Sequence, residues 1–169
     1  MLNLVFHNST SAKKYNSKFF EKILKTAIRE IRKHEKPQER ERKESARFSM
    51  SVNLVEEKKI RELNKKYRDK NKPTDVLSFP LQEKLEIGNW KLESPKSKTL
   101  VFDLGDIFIC LSIAKNDAKR ENITIEEKLK QLTAHGFLHL QGYEHEKSKR
   151  GAEEMFGLER RIFEKLNSD

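Results

Sequence analysis

Three of the five histidines in this 169-residue chain lie in one stretch of eleven residues, HGFLHLQGYEH. His135 and His139 are four residues apart, so on a helix their side chains project from the same face. Gly142 can adopt the left-handed conformation that ends a helix, which would let the chain turn and return His145 to the same point. Three imidazoles leave one position of a tetrahedral zinc ion open for water. The spacing therefore predicts one catalytic Zn²⁺ per chain, bound by these three side chains.

The residue after the first histidine limits which reaction such a site can perform. The pattern H-x-x-x-H-x-x-G-x-x-H is similar to the ligand frame of the metzincin peptidases. Those enzymes need a glutamate directly after the first histidine, where it takes the proton from the metal-bound water. Gly136 occupies that position here. The pattern thus argues against proteolysis, and a metzincin-like metallopeptidase remains an alternative that would need another base.

The elements that must position these histidines can be predicted from caps and periodicity. Thr124 and Glu127 have capping-box spacing, so a helix should begin there and continue through His135 and His139. Apolar periodicity predicts strands at 2–6, 48–55, 76–80 and 100–110, the last interrupted near Gly105, and helices at 19–31 and 56–68. A last amphipathic helix should bury Ala152, Met155, Phe156, Ile162, Phe163 and Leu166.

We expect the first helix to end near His34 to Pro37. The connections between elements should include a charged connector at 38–44 and a surface loop or hairpin at 82–98. Strands and helices mix without strict alternation, which is typical of the α+β class. We therefore expect a single metallohydrolase domain over residues 1–169. Its architecture would be a small mixed β-sheet flanked by helices, with a zincin-like metal site on a helix and the following turn.

The composition indicates the kind of partner. Lys and Arg number 36 against 27 Asp and Glu, a formal charge of +9. Such a charge favours nucleic acid or an anionic membrane face, although it also suits helix faces that are simply solvated. No window approaches the roughly 20 apolar residues that cross a bilayer, and no signal-like segment opens the chain. The single cysteine, Cys110, fits a reducing compartment. We expect a cytoplasmic protein that does not bind membranes.

Three motifs resemble those of the YbeY family of bacterial endoribonucleases. HGFLHLQGYEH is similar to the family signature HGxLHLxGYDH. LNKKYRDKNKPTDVLSFP, at 63–80, is similar to the block N-x-x-Y-R-x-x-x-x-P-T-D-V-L-S-F-P. LGDIFIC, at 104–110, is similar to the G-D-I-x-I strand. The motifs occur in family order, so the resemblance extends over essentially the whole domain.

The resemblance implies a zinc-dependent endoribonuclease specific for single-stranded RNA. It would act in ribosomal RNA maturation, at the 3′ end of the small-subunit rRNA, and in ribosome quality control. Its partners would be ribosomal RNA and the small ribosomal subunit, with no DNA substrate. Arg68 and His135 would be catalytic, and His135, His139 and His145 the metal ligands. Glu144 stands where the family usually has Asp, which leaves the role of that carboxylate beside the metal open.

Other residues near the motifs have two interpretations each. Arg68 has a planar fork that suits a phosphate oxygen pair. Tyr67 and Tyr143 could stack on bases or pack against the domain. A group of lysines could attract a polyanion or only solvate a helix end and turn. These tentative RNA-binding residues are Lys65, Lys66, Lys70 and Lys72.

Carboxylates provide the remaining candidates. Asp106 lies in an apolar strand and could accept a hydrogen bond from a zinc-bound histidine, a role also considered for Glu144. Asp75 suits a local turn, and participation in the active site is the alternative role for it. The sequence offers three candidates for the general base: the metal-activated water itself, Glu144 and Glu146. The nucleophile is open between that water and the 2′-hydroxyl of the RNA.

A third functional class is also compatible with the sequence. A non-catalytic ribosome-assembly factor could contain zinc for structure alone. Such an ion would have a fourth protein ligand in place of water, so the ligand count distinguishes the two classes.

Overall fold

A computed structural model describes residues 1–33, 47–81 and 101–168 as four strands and five helices. In chain order these are β1 (Leu2–Asn8), α1 (Ser17–Lys33), β2 (Arg47–Val55), α2 (Glu57–Arg68), β3 (Val76–Pro80), β4 (Val101–Cys110), α3 (Leu111–Arg120), α4 (Ile125–Leu140) and α5 (Lys149–Ser168). The predicted end of the first helix near His34 to Pro37, the connector at 38–44, Leu100 and the segment 82–98 lie outside the described residues.

The strands form one mixed sheet in the order β1-β2-β4-β3. β1, β2 and β4 run parallel, and β3 pairs antiparallel with β4 along the sheet edge. Gly105 has a φ of +108° and the Cβ of any other residue there would lie 2.1 Å from the Phe79 carbonyl oxygen, so this strand position requires glycine. The predicted class, a small mixed sheet with helices around it, is confirmed.

The larger core lies between one sheet face and the helices α1, α4 and α5. The i, i+3, i+4 stripe of α1 is buried there, and the ring of Phe20 stacks on Phe6 of β1 at a centroid distance of 5.0 Å. Burying each such side chain contributes roughly 1.5–3 kcal/mol. This core fixes α4 against the sheet.

The other sheet face carries α2. Ile60 of this helix packs with Val55, Leu77 and Cys110 in a second, smaller cluster. α2 ends at Arg68, because Asp69 takes the left-handed conformation with a φ of 56°. Since β3 is the edge strand, α2 on one face and α4 on the other both reach the space beside it.

Helix α3 was not predicted from the sequence. It buries few large side chains, Leu111 with Ala114 and Ala118, so its apolar periodicity is weak. Within the described ranges, every helix is too short or too polar to span a membrane.

Candidate metal centre

The predicted capping box begins helix α4. The Glu127 N–H donates to the Thr124 hydroxyl oxygen at 3.1 Å, and the Thr124 N–H donates to the Glu127 carboxylate at 2.8 Å. These two bonds satisfy backbone donors that the first turn would otherwise leave unpaired. The helix then continues through His135 and His139, as predicted.

The end of α4 turns the chain back. Gly142 has a φ of 84°, its N–H donates to the His139 carbonyl at 3.0 Å, and the Tyr143 N–H donates to the Leu138 carbonyl at 3.1 Å. This pair of bonds is the Schellman motif, which glycine permits at no steric cost. Tyr143 packs against the core, which is one of the two roles considered for it. The turn brings His145 to the other two histidines.

The three histidines converge on one point. One ring nitrogen of each lies within 4.8 Å of the others, and the Nε2 atoms of His135 and His139 are 3.1 Å apart. For Zn–N bonds of about 2.0–2.1 Å, the edge of a tetrahedron is about 3.3–3.4 Å. All three rings are half-buried, and neutral imidazole is a common metal ligand. The donor set and spacing therefore fit a metal ion.

The environment keeps His139 in its neutral, metal-binding form. Burial lowers the pKa of His139, and the neighbouring His135 and His145 lower it further. Glu144 and a hydrogen bond with the Tyr143 backbone oppose the shift. Compared with an ordinary histidine, this ring therefore stays available to a metal ion down to a lower pH.

Helix α5 makes two contacts with the ligands. His135 Nδ1 donates to Glu159 Oε1 at 2.6 Å, and the Phe156 ring stacks on His145 at a centroid distance of 5.6 Å. Phe156 was predicted to be buried, but it is 46% exposed, and Ala152 and Phe163 of the same predicted set are only half-buried. The buried stripe of α5 is Met155, Leu158, Ile162 and Leu166. Phe156 directly follows Met155 in the sequence, so it lies beside this stripe and not in it. The spacing of the stripe could therefore have identified Phe156 as an exposed residue.

Gly136 faces the sheet rather than the metal. A Cβ on this residue would lie 2.9 Å from Ser78 Oγ and 3.0 Å from Ile107 Cγ2. Any larger side chain here would meet the packed strands at its first carbon. The close packing of α4 on β3 and β4 thus favours glycine at this position, where the peptidases have their base.

A cleft of about 690 Å³ opens beside the histidines, within the size range of small-molecule sites. Arg68 of α2 lines the same cleft, as do Glu144 and Glu146, so these predicted residues are brought together. Four polar residues of α4 and α5 that were not predicted as site residues also line the cleft, namely Lys128, Gln131, Glu159 and Arg160. Lys128 and His135 are seven residues apart, which places both on one face of the helix. This spacing could have identified Lys128 as a cleft residue from the sequence.

The four predicted RNA-binding lysines lie around Arg68 but do not line the cleft. Lys65, Lys66, Lys70 and Lys72 are all exposed, on the last turn of α2 and the segment after it. Lys66 Nζ lies 5.0 Å from the Tyr67 ring centroid, and that ring contacts Phe79 at 4.9 Å. Tyr67 is nevertheless 56% exposed, so it packs on one side only.

Asp106 is not near the histidines. Its carboxylate accepts a hydrogen bond from the Ser51 hydroxyl, and it lies opposite Phe79 in the sheet. Side chains alternate along a strand, so Asp106 faces α2 while Ile107 faces α4. The histidine contact predicted for Asp106 is made instead by Glu159. Asp75 accepts from the Val76 N–H at 2.9 Å and from the Thr74 hydroxyl at 3.1 Å, as a local turn residue should.

The fold and the site define an α+β protein in which three histidines, on a helix and its following turn, could hold a metal ion in a polar cleft. A family model described as Endoribonuclease YbeY matches residues 5–167. The chain belongs to this family.

Individual relatives agree with the family match. The chain is 40% identical over 119 residues to Endoribonuclease YbeY of Persephonella marina, covering 70% of this chain and 71% of the relative. It is 40% identical over 118 residues to the Aquifex aeolicus protein of the same name, covering 70% of each. The solution structure of TM1509 from Thermotoga maritima superposes with a TM-score of 0.55 at 27% identity, covering 97% of this chain and 87% of that one.

Proposed function

We propose that this chain is a zinc-dependent endoribonuclease that cleaves single-stranded RNA. Its substrate would be ribosomal RNA, cut at the 3′ end of the small-subunit rRNA during maturation and ribosome quality control. The small ribosomal subunit would be its partner in the bacterial cytoplasm, and DNA would not be a substrate. Residues 1–169 would act as one metallohydrolase domain with one Zn²⁺.

The shared cleft of Arg68 and the three histidines carries this proposal. Arg68 comes from α2 on one sheet face, and the histidines come from α4 and its turn on the other. Strand β3 at the sheet edge separates them, and residues before and within it, such as Thr74 and Ser78, line the cleft between. A phosphodiester bound in this cleft would lie between Arg68 and the three histidines.

Zinc at this site would supply a Lewis acid and a water of lowered pKa. The protein residues have separate tasks around it. His135, His139 and His145 would hold the ion, and three protein ligands would leave a position for water. Arg68 binds a phosphate oxygen and stabilises the charge that develops as the bond to the leaving oxygen breaks. Glu144 and Glu146 both line the cleft, so either can accept the proton of the nucleophile.

The charge of the chain supports an RNA substrate. The exposed lysines around Arg68, namely Lys65, Lys66, Lys70 and Lys72, would attract the backbone outside the cleft without reading sequence. Each phosphate neutralised on a single strand contributes about −0.7 to the slope of log affinity against log salt. Binding should therefore weaken steeply as salt rises.

A purely structural zinc ion would need a fourth protein ligand. In the part of the chain that the structure describes, the metal-binding group consists of three histidines. This observation favours the catalytic proposal over a non-catalytic assembly factor. A peptidase is disfavoured because Gly136 supplies no base at the position where the metzincins have glutamate, and a Cβ there would meet Ser78 and Ile107 at 3.0 Å or less.

Cleavage of a defined RNA tests the proposal. An end-labelled single strand, the same strand annealed to its complement, and the DNA of the same sequence would be incubated with zinc-loaded protein. We expect cleavage of the single-stranded RNA alone. Arg68→Ala should slow it by about 10²–10³-fold, the cost of removing one donor to the transition state, and His139→Ala should abolish it.

Lys58→Ala is the matched control, because Lys58 is an exposed cation on α2 that does not line the cleft. It should cleave at the wild-type rate. If Arg68→Ala and His139→Ala also cleave at that rate, the activity belongs to a contaminating nuclease and the proposal fails.

A further inference from the structure

Glu159 forms the shortest described contact to a metal-ligand ring. Its Oε1 lies 2.6 Å from His135 Nδ1, and both side chains are about a quarter exposed. An ionised carboxylate can only accept hydrogen bonds. The hydrogen of the neutral imidazole must therefore be on Nδ1.

This hydrogen bond determines which nitrogen of His135 can bind a metal. With Nδ1 protonated, Nε2 carries the lone pair, and Nε2 is the atom that lies 3.1 Å from Nε2 of His139. The opposite tautomer would direct an N–H at the metal position.

The position of Glu159 is set by packing that does not involve the histidines. Leu158 and Ile162, on either side of it, are buried in the main core. Near the end of the helix, Lys130 Nζ donates to Asn167 Oδ1 at 2.9 Å and ties α5 to α4. The docked helix thus presents Glu159 to His135 before any ion binds.

We propose that Glu159 is a positioning residue for the metal centre, which fixes the tautomer and the ring orientation of His135. The inference rests on the zinc site of the proposed function but concerns a side chain outside the ligand set. Carboxylates in this arrangement raise ligand basicity, and their loss typically weakens metal affinity by about 10–100-fold.

Zinc affinity measured without RNA tests the inference. Zn²⁺ would be titrated into the 169-residue chain in competition with a chromophoric chelator, for wild type, Glu159→Ala, Glu159→Gln and Glu153→Ala. We expect Glu159→Ala to bind about 10–100-fold more weakly. Glu159→Gln should recover part of the loss, because its amide oxygen can still accept from Nδ1–H. Glu153 is exposed on the same helix, so Glu153→Ala should bind as wild type does.

A second readout separates positioning from general stability. In metal-free protein, the imidazole nitrogen chemical shifts should show His135 protonated on Nδ1 in wild type and Glu159→Gln, and a mixture of tautomers in Glu159→Ala. Equal tautomer populations in all three proteins would overturn the inference. So would a Glu159→Ala affinity within about threefold of wild type, well below the loss typical of such partners.

The two proposals can fail separately. Wild-type protein that binds no Zn²⁺ would overturn the zinc site itself. Wild-type protein that binds Zn²⁺ and cleaves RNA, with Glu159→Ala unchanged in affinity, would overturn only the role of Glu159.

Discussion

The buried side chain of Asn64 donates a hydrogen bond of 2.7 Å to the carbonyl oxygen of Lys72. The backbone carbonyl of Asn64 also accepts from the Lys70 N–H at 3.2 Å. These contacts hold the segment after α2 in one conformation, and Arg68 is the last residue of that helix. The position of the cleft arginine therefore depends on an asparagine one turn before it.

Asn64→Ala should impair cleavage through Arg68. Losing this hydrogen bond costs about 0.5–1.5 kcal/mol of stability and loosens the end of α2. The measurement is a double-mutant cycle on single-stranded RNA cleavage. Asn64→Ala should slow the wild-type enzyme, yet add little to Arg68→Ala. Equal slowing in both backgrounds would mean that Asn64 acts elsewhere.

Gly136→Ala should destabilise the protein. The added methyl group meets Ser78 and Ile107 at 3.0 Å or less, and such overpacking costs typically about 1–3 kcal/mol. Gly157→Ala is the control, since a Cβ there meets only the flexible end of Arg161 at 3.6 Å. Alanine favours a helix by about 1 kcal/mol over glycine, so Gly157→Ala should be neutral or stabilising. The urea unfolding midpoint should fall for Gly136→Ala and should stay the same or rise for Gly157→Ala.

The capping box should make stability depend on pH. Hydrogen bonds from the Thr124 backbone and then from its hydroxyl lower the pKa of Glu127 below its ordinary value of 4.5. The stabilisation is thus fully present above that value and is lost as the pH falls through the lowered pKa of the folded state. Glu127→Gln should be less stable than wild type at pH 7 and approach it in acid. Thermal midpoints across the acidic range would show a constant difference if the box contributes nothing.

Thr124→Ala tests the other half of the same box. Removing a threonine N-cap typically costs about 1 kcal/mol. Thr124→Ser keeps a hydroxyl oxygen for the Glu127 N–H and should restore most of the loss. Denaturant unfolding of both variants provides the comparison, and equal stability of the alanine and serine variants would contradict a capping role.

Zinc should stabilise the folded protein in proportion to its binding. At a free zinc concentration of 100 times Kd, a ligand specific for the folded state adds about 2.7 kcal/mol. A chelator should remove this gain, and His145→Ala should show little response to zinc. His7 lies in β1, outside the metal-binding group, so His7→Gln should respond as wild type does. A thermal midpoint of wild type that zinc does not shift would contradict the metal site.

Local signals explain why much of the site could be predicted from sequence. The capping box, the spacing of His135 and His139, and the glycine that ends the helix all act within a few residues of each other. Their geometry follows from helix parameters, and the structure reproduces it. Arg68 was predicted through the family motif, because nothing in its own lysine-rich surroundings distinguishes it from a surface charge.

Contacts between distant elements could not be predicted in this way. Glu159 is 24 residues from His135 and is one of several glutamates on a strongly charged helix. Which glutamate meets the histidine depends on how α5 rotates against the core, and that rotation is set by the buried stripe. Asp106 shows the converse case, since its strand was predicted correctly but the face it occupies depends on the pairing of β3 with β4.

The ligand set is complete within eleven consecutive residues, whereas Glu159 belongs to a later helix. The spacing of the three ligands therefore follows from local chain geometry alone. The carboxylate that orients one of their rings is in place only when the carboxy-terminal helix is docked on the core, so a change that loosens this docking would reach the metal centre without touching a ligand.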